Sequence, residues 1–197
     1  MLQENTPTLE TRRLILRKFT DGDIDDMLPL YRDAKVNRFL PWLPIQSRDE
    51  MAYYLHHAIF PFYEKPLAYS YAVALRESNR VIGYVHLNDI GEDNGIGYAL
   101  ARAFWNQGII TEACAAVFDR LRKAGLPFIT ATHDVNNPAS GAVMKKLGMT
   151  YRYSYRELWQ PKNIWVTFRM YQLNLDGKDY TYTAYQKLYP FFIEPAP

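Results

Sequence analysis

Apolar positions change their period several times along the chain, and each change marks an element. Within residues 9–19 they concentrate at Leu14, Ile15 and Leu16, which predicts an opening strand. The acidic cluster at residues 21–26 then favours a helix start, continuing through Met27, Leu28, Leu30 and Tyr31. Pro41 and Pro44 break the chain. Ser47-Arg48-Asp49-Glu50 has the spacing of a capping box and predicts a second helix over residues 47–63. Residues 69–75 and 81–90 are apolar and β-rich, and the polar run 76–80 between them predicts a hairpin. After a turn at 91–94, residues 95–101 read as a further strand.

Beyond that point the period lengthens. Cys114, Val117, Phe118 and Leu121 share one helical face, predicting a helix over residues 111–124. Arg122 and Lys123 suit its last turn, Gly125 its C-terminal cap, and Pro127 its end. Residues 128–132 form a short β-branched strand. Asn137 followed by Pro138 opens another helix, which ends at Gly148. Residues 151–159 and 164–174 close the pattern as two strands. The order predicts a mixed α/β, α+β-type domain over residues 1–174, with one parallel crossover around the 111–124 helix. Residues 175–197 form an extension with six aromatic rings, too apolar for a solvated terminus. Packing on the domain or across a second copy of the chain, as a homodimer, is expected of it.

Composition narrows the function. The 197 residues carry 23 Lys+Arg against 21 Asp+Glu, a net charge of +2, which argues against a dedicated nucleic-acid binder. A single cysteine, Cys114, excludes an internal disulfide or a multi-cysteine zinc site, and reads as a small buried helix residue. His56 and His57 are adjacent and diverge around a helix, and no metal site is expected. No G-x-S-x-G elbow, GxxxxGK[ST] loop or complete dinucleotide fingerprint occurs. The first twenty residues lack the apolar run of a signal peptide, and no stretch is long enough to span a membrane, so a cytoplasmic protein is expected.

The segment richest in chemistry is 97–113, where a strand, a loop bearing Gly108 and a helix start follow one another. The first amides of a helix lack intrahelical partners and carry the positive end of its dipole. A strand–loop–helix joint with a glycine can therefore receive a diphosphate.

Phe104-Trp105-Asn106-Gln107-Gly108-Ile109-Ile110-Thr111-Glu112-Ala113 resembles the acetyl-CoA loop of the GNAT superfamily of N-acetyltransferases, in its RimJ/RimL-like branch. Asn137-Pro138-Ala139-Ser140, continuing to Lys145-Lys146-Leu147-Gly148-Met149, is similar to a second segment of that branch. Leu9-Glu10-Thr11-Arg12-Arg13-Leu14-Ile15-Leu16-Arg17 resembles its opening strand, and Phe39-Leu40-Pro41-Trp42 its substrate-side loop. The likeness spans residues 8–174 in family order.

The resemblance implies the GNAT acyl-CoA N-acyltransferase fold: a mostly antiparallel sheet with one splayed parallel strand pair, flanked by helices. It implies acetyl-CoA as co-substrate, with pantetheine between strands ending near Leu100 and Thr132, and diphosphate on the amides of residues 107–111. The cofactor-binding residues it implies are Tyr98, Leu100, Gln107, Gly108, Ile109, Ile110, Thr111, Asn137 and Ser140. It also implies direct attack by a primary amine, either a protein N-terminal α-amine or a small molecule, in a ternary complex.

Departures weaken the catalytic side. Trp105 and Ile110 take the usual Q/R and G/A places of the loop. Gly95 stands where many relatives carry Glu, and Met144 where many carry the Tyr that protonates the leaving thiolate. Ser140 is then the candidate to assist the thiol, and His86, Asp89 and His133 the candidates to take a proton through water. A site without a strong base favours an amine of low pKa, because an α-amine near 8 loses its proton far more readily than lysine near 10.4. The rival class is a non-catalytic acyl-CoA-binding or interaction module of the same fold.

Overall fold

The computed structural model describes residues 4–88 and 90–195. Two sheets form the frame. The first has the order β1-β2-β3-β4-β5 and the second β6-β8-β7-β9. In the first lie β1 (Leu9–Glu10), β2 (Leu14–Arg17), β3 (Ser70–Leu75), β4 (Val81–Leu87) and β5 (Ile96–Leu100), all antiparallel. The second holds β6 (Phe128–Asp134), β7 (Thr150–Trp159), β8 (Ile164–Asn174) and β9 (Phe191–Phe192), again antiparallel.

The expected single strand over residues 9–19 is instead a tight hairpin. Leu9 pairs with Leu16, and Thr11 exchanges bonds with Leu14 through its amide and hydroxyl. The turn is Thr11 to Arg13, and the polar signal of residues 10–13 is masked by the strong apolar triplet that follows. The expected helix over 47–63 is also divided, into α3 (Arg48–Tyr54), a π-helical turn (Leu55–Ile59) and α4 (Phe60–Glu64). Pro61 lacks the amide that a continuous helix would need there, and the wider turn absorbs the mismatch. The start of α3 follows the sequence: the Ser47 hydroxyl accepts from the Glu50 amide, and Glu50 reaches back to the Gln46 amide.

Three apolar clusters set the layers. One face of the first sheet packs on α1 (Ile24–Arg32), α2 (Ala34–Asn37) and α3, with Met27, Tyr31, Met51, Leu55 and Tyr84 buried there. Its other face packs on α5 (Ile109–Lys123) through Leu16, Val85, Leu100, Cys114, Val117 and Leu121. That cluster continues under the second sheet to α6 (Pro138–Lys146), through Ile129, Ala131, Tyr171 and Met144. The far face of the second sheet buries Tyr153, Tyr155, Phe168 and Met170 under Tyr182, Tyr185 and Tyr189, where α7 (Ala184–Leu188) lies. Among the described residues no helix is long and apolar enough to cross a membrane, and no group of three or more His, Cys, Asp or Glu side chains could hold a metal ion.

The sheets meet at one place. Gly95 and Thr130 form a single parallel bridge, with the Thr130 amide donating to the Asn94 carbonyl at 3.2 Å. Past that bridge β5 and β6 separate, which leaves two facing strand edges without a backbone partner in the sheet. That gap positions everything that follows.

Candidate active site

Backbone parity decides which groups of β5 face the gap. The Gly95 carbonyl accepts from Asn88, and the Ala101 amide donates to Ile82, so odd-numbered residues bond to β4. The even-numbered Ile96, Tyr98 and Leu100 turn their backbone groups to the opposite edge. At the mouth of the gap the Leu100 carbonyl is already taken: the Trp105 indole donates to it at 2.7 Å. The Tyr98 and Leu100 amides are the donors that remain along this edge, and an extended amide-bearing chain could pair with them as an added strand does.

Tyr98 and Ser140 meet across the space between β5 and α6. The tyrosine hydroxyl donates to the Ser140 carbonyl at 3.1 Å and lies 2.9 Å from Ser140 Oγ. Burial raises the Tyr98 phenol above its ordinary value, and the nearby Cys114 adds to the rise against the opposing Ser140 hydrogen bond. The phenol therefore stays protonated and can keep donating. Cys114 is itself fully buried, and burial pushes its thiol up, so it packs the core as the sequence predicted.

The helix beyond Asn137 begins as its sequence dictates. The Asn137 side chain accepts from the Ser140 amide at 3.4 Å, with Pro138 in the first turn. Its close seating on β6 depends on Gly141, because a β-carbon there would lie 2.6 Å from His133 Nε2. The His133 ring is buried, and its Nδ1–H donates to the Asp134 carbonyl at 2.8 Å, which leaves Nε2 as an unprotonated atom beneath α6. Burial lowers the His133 pKa, and Arg169 adds to this against the opposing carbonyls of Asp134 and Asn137.

A pH dependence follows from that depression. Stability present above the ordinary imidazole value of 6.5 is lost as pH falls through the lower folded value, because only the unfolded chain readily takes the proton. Thermal melts from pH 7.5 to 5.5 should show this slope, and His133→Gln should flatten it. Parallel slopes for the two proteins would refute the assignment.

The loop after β5 supplies the other half of the site. Helix α5 starts at Ile109, two residues before the expected Thr111, because Gly108 rather than a side chain caps it. Asn106 and Gly108 both have positive φ, 59° and 71°, so the loop turns twice in quick succession. Glu112 donates its amide to the Gly108 carbonyl, and the amides of Ile109, Ile110 and Thr111 precede this first intrahelical donor. Such a run of inward amides is a concave anion-binding backbone. The space a β-carbon would take on Gly108 is open, with Arg13 Nη2 nearest at 3.8 Å. The Gln107 side chain folds back onto the Ala103 carbonyl at 3.0 Å, so its backbone rather than its amide group faces the loop.

The remaining sequence candidates fall elsewhere. His86 lies on the opposite face of β4 from Val85, which pairs with Tyr98, and its ring sits edge-on to Phe62 at 4.6 Å. The structure therefore does not gather His86 with Ser140. Asp89 lies outside the described residues. The carboxylate missing at Gly95 is replaced in space, since a β-carbon there would lie 2.9 Å from Asp93 Oδ2. Asp93 is held by the Gly95 amide and by the Tyr185 hydroxyl, both at 2.8 Å. No sequence rule could couple Tyr185 of the extension to this turn. Lys162, also unforeseen, reaches from the β7–β8 hairpin to the carbonyls of Asn37 and Arg38, at 2.5 and 3.1 Å.

Two splayed strands, a glycine-capped helix start and a capped second helix define an acyl-CoA N-acyltransferase architecture. Residues 13–150 match the acetyltransferase (GNAT) domain, and the chain belongs to the GNAT family of N-acetyltransferases. Among curated relatives it is 26% identical over 146 residues to the uncharacterized N-acetyltransferase YoaA of Bacillus subtilis, covering 72% of this chain and 82% of YoaA. Among solved structures, a GNAT-family acetyltransferase from Bacillus anthracis aligns with a TM-score of 0.75 at 20% identity, covering 86% of this chain and 99% of that one. RimL, a ribosomal L7/L12 α-N-protein acetyltransferase solved with coenzyme A, aligns with a TM-score of 0.75 at 22% identity, covering 87% and 100%. The fold and family expected from the four sequence segments are met.

Proposed function

We propose that the chain transfers the acetyl group of acetyl-CoA to a primary amine, by direct attack while both substrates are bound. One observation carries the reading: the β5 edge, the Tyr98–Ser140 pair and the Gly108-capped start of α5 lie in sequence along one gap. The residues fit the donor. Edge amides of Tyr98 and Leu100 suit an amide-bearing arm, and the bare Gly108 with the amides of Ile109, Ile110 and Thr111 suits a diphosphate.

Bound acetyl-CoA would supply an activated acyl thioester. The Leu100 amide, already oriented toward the gap, is placed to stabilise negative charge that develops on the acyl oxygen. Ser140 would donate its hydroxyl hydrogen to the departing sulfur once the Tyr98 phenol turns its own hydrogen from the Ser140 carbonyl to Ser140 Oγ, 2.9 Å away. A thiol near pKa 8.5 needs no strong acid, so a hydroxyl donor is enough. Asp93, held at the start of β5 by the Gly95 amide, is the carboxylate we favour to relay the amine's proton through water. Without a strong base, the acceptor class we favour is a low-pKa amine, with a protein N-terminal α-amine ahead of lysine. The α-N-protein activity in RimL's name supports this choice.

A thermal shift tests donor binding. At a hundredfold excess over Kd, acetyl-CoA should stabilise the protein by about 2.7 kcal/mol, several degrees in Tm. An unmoved Tm at millimolar acetyl-CoA would sink the donor assignment. Thiol release measured with N-terminal peptides and small amines then separates an enzyme from the rival binding module, which would bind the donor without turnover. Gly108→Asp should abolish most donor binding, since it adds a β-carbon at positive φ and a charge beside the diphosphate. Unchanged CoA affinity in that variant would place the site elsewhere.

A further inference from the structure

The loop that would receive the diphosphate carries no cation of its own. Residues 103–111 are uncharged, and Arg102 before them is engaged with Asp33 at 3.2 Å. Worse for an anion, Glu112 puts a carboxylate into the first turn of α5. Its charge is secure: burial opposes ionisation, but hydrogen bonds from Thr11 and Arg13 outweigh it and hold the carboxyl below its usual range. An unshielded carboxylate here would repel any phosphate seated on the adjoining amides.

Arg13 answers both problems from the β1–β2 turn. Its Nε donates to Glu112 Oε2 at 2.7 Å and its backbone amide to Oε1 at 3.1 Å, with the Thr11 hydroxyl adding 2.6 Å to Oε1. Its Nη1 donates to the Gln107 carbonyl at 3.0 Å. Because the peptide group is planar, fixing that carbonyl also fixes the direction of the Gly108 amide. Nη2 lies beside Gly108, 3.8 Å from the space a β-carbon would fill. A lysine could supply the charge but not this fork, which grips a carboxylate and a carbonyl together.

We propose that Arg13 is a positioning residue for the donor: it neutralises Glu112 and pins the Gln107–Gly108 peptide in its anion-receiving orientation. This rests on the reading that residues 107–111 receive the diphosphate of acetyl-CoA. The role is specific to the nucleotide end of the donor, because the Tyr98–Ser140 pair is held by other contacts.

That specificity makes the test. CoA affinity is measured by calorimetry at low and moderate salt for wild type, Arg13→Gln and Arg13→Lys. Turnover of acetyl-CoA is compared with that of acetyl-pantetheine, which has the thioester and arm but no diphosphate. Arg13→Gln should weaken CoA binding and raise KM for acetyl-CoA about tenfold or more, with kcat nearly kept and acetyl-pantetheine kcat/KM unchanged. Arg13→Lys should fall between the two and keeps the test open if Arg13→Gln fails to fold. Equal losses with both donors would reduce Arg13 to a scaffold role and overturn the proposal, as would an unaltered CoA affinity. A wild type that shows no preference for acetyl-CoA over acetyl-pantetheine would overturn the diphosphate reading itself, and the Arg13 assignment with it.

Discussion

Truncation after Asn174 is expected to remove most of the protein's thermal stability. The deleted segment covers Tyr153, Tyr155, Phe168 and Met170, all at least 94% buried, with Tyr182, Tyr185 and Tyr189. Tyr155 stacks between Tyr185 and Tyr189 at 5.2 Å each, and Phe128 meets Tyr180 and Tyr182 at 5.7 Å. Polar contacts fix the path: Tyr153 donates to the Tyr182 carbonyl, Gln172 brackets Tyr180 and Tyr182, and Glu194 closes on Arg169 and Ser154. Strand β9 adds a ladder to β7 through Tyr155 and Phe191. Re-exposing these rings should cost on the order of 5 kcal/mol after the entropy of ordering the segment is subtracted. That is comparable to the whole stability of an ordinary domain, about 5–15 kcal/mol. Calorimetry of the truncated chain checks it, and an unchanged Tm with unchanged mass in solution would show the segment to be dispensable. Tyr185→Phe is a milder variant that breaks only the bond to Asp93, and should lower Tm by a few degrees.

Ser140→Ala should lower kcat on the order of a hundredfold while leaving KM for acetyl-CoA within a small factor. In the proposed mechanism the hydroxyl assists the departing sulfur, and its loss leaves that charge without a donor. Tyr98→Phe should cost less, about tenfold, because it removes the donor behind Ser140 rather than Ser140 itself. Steady-state kinetics with a fixed amine read both variants. If Ser140→Ala keeps its full kcat, the hydroxyl only packs against Tyr98, and the sulfur leaves unaided. A rise in KM with constant kcat would instead mark Ser140 as a binding group.

The helices over residues 109–123 and 138–146 were legible because their signals are local. A periodic apolar face, a capping Asn137, a glycine beyond each end and a proline in place follow from the backbone chemistry of helix termini alone. The 81–87 hairpin strand was legible for the same reason, being an apolar run bounded by a polar turn. Two local signals were outweighed. Glu10 to Arg13 is polar enough for a turn, yet Leu14 to Leu16 dominates the window, and Pro61 marks a break that the helical pattern running on from the Ser47 capping box conceals.

The sequence by itself determined the family, the capped start of α6 and the loop between β5 and α5, since each is written in residues within a few positions of one another. The tertiary structure alone decided which side chains meet: Arg13 with Glu112, Tyr98 with Ser140, Tyr185 with Asp93 and Lys162 with the end of α2. These partners stand between 42 and 125 residues apart. Their pairing depends on how two sheets diverge from one bridge at Gly95 and Thr130. Periodicity reports which face of an element is buried, but not which distant element covers it.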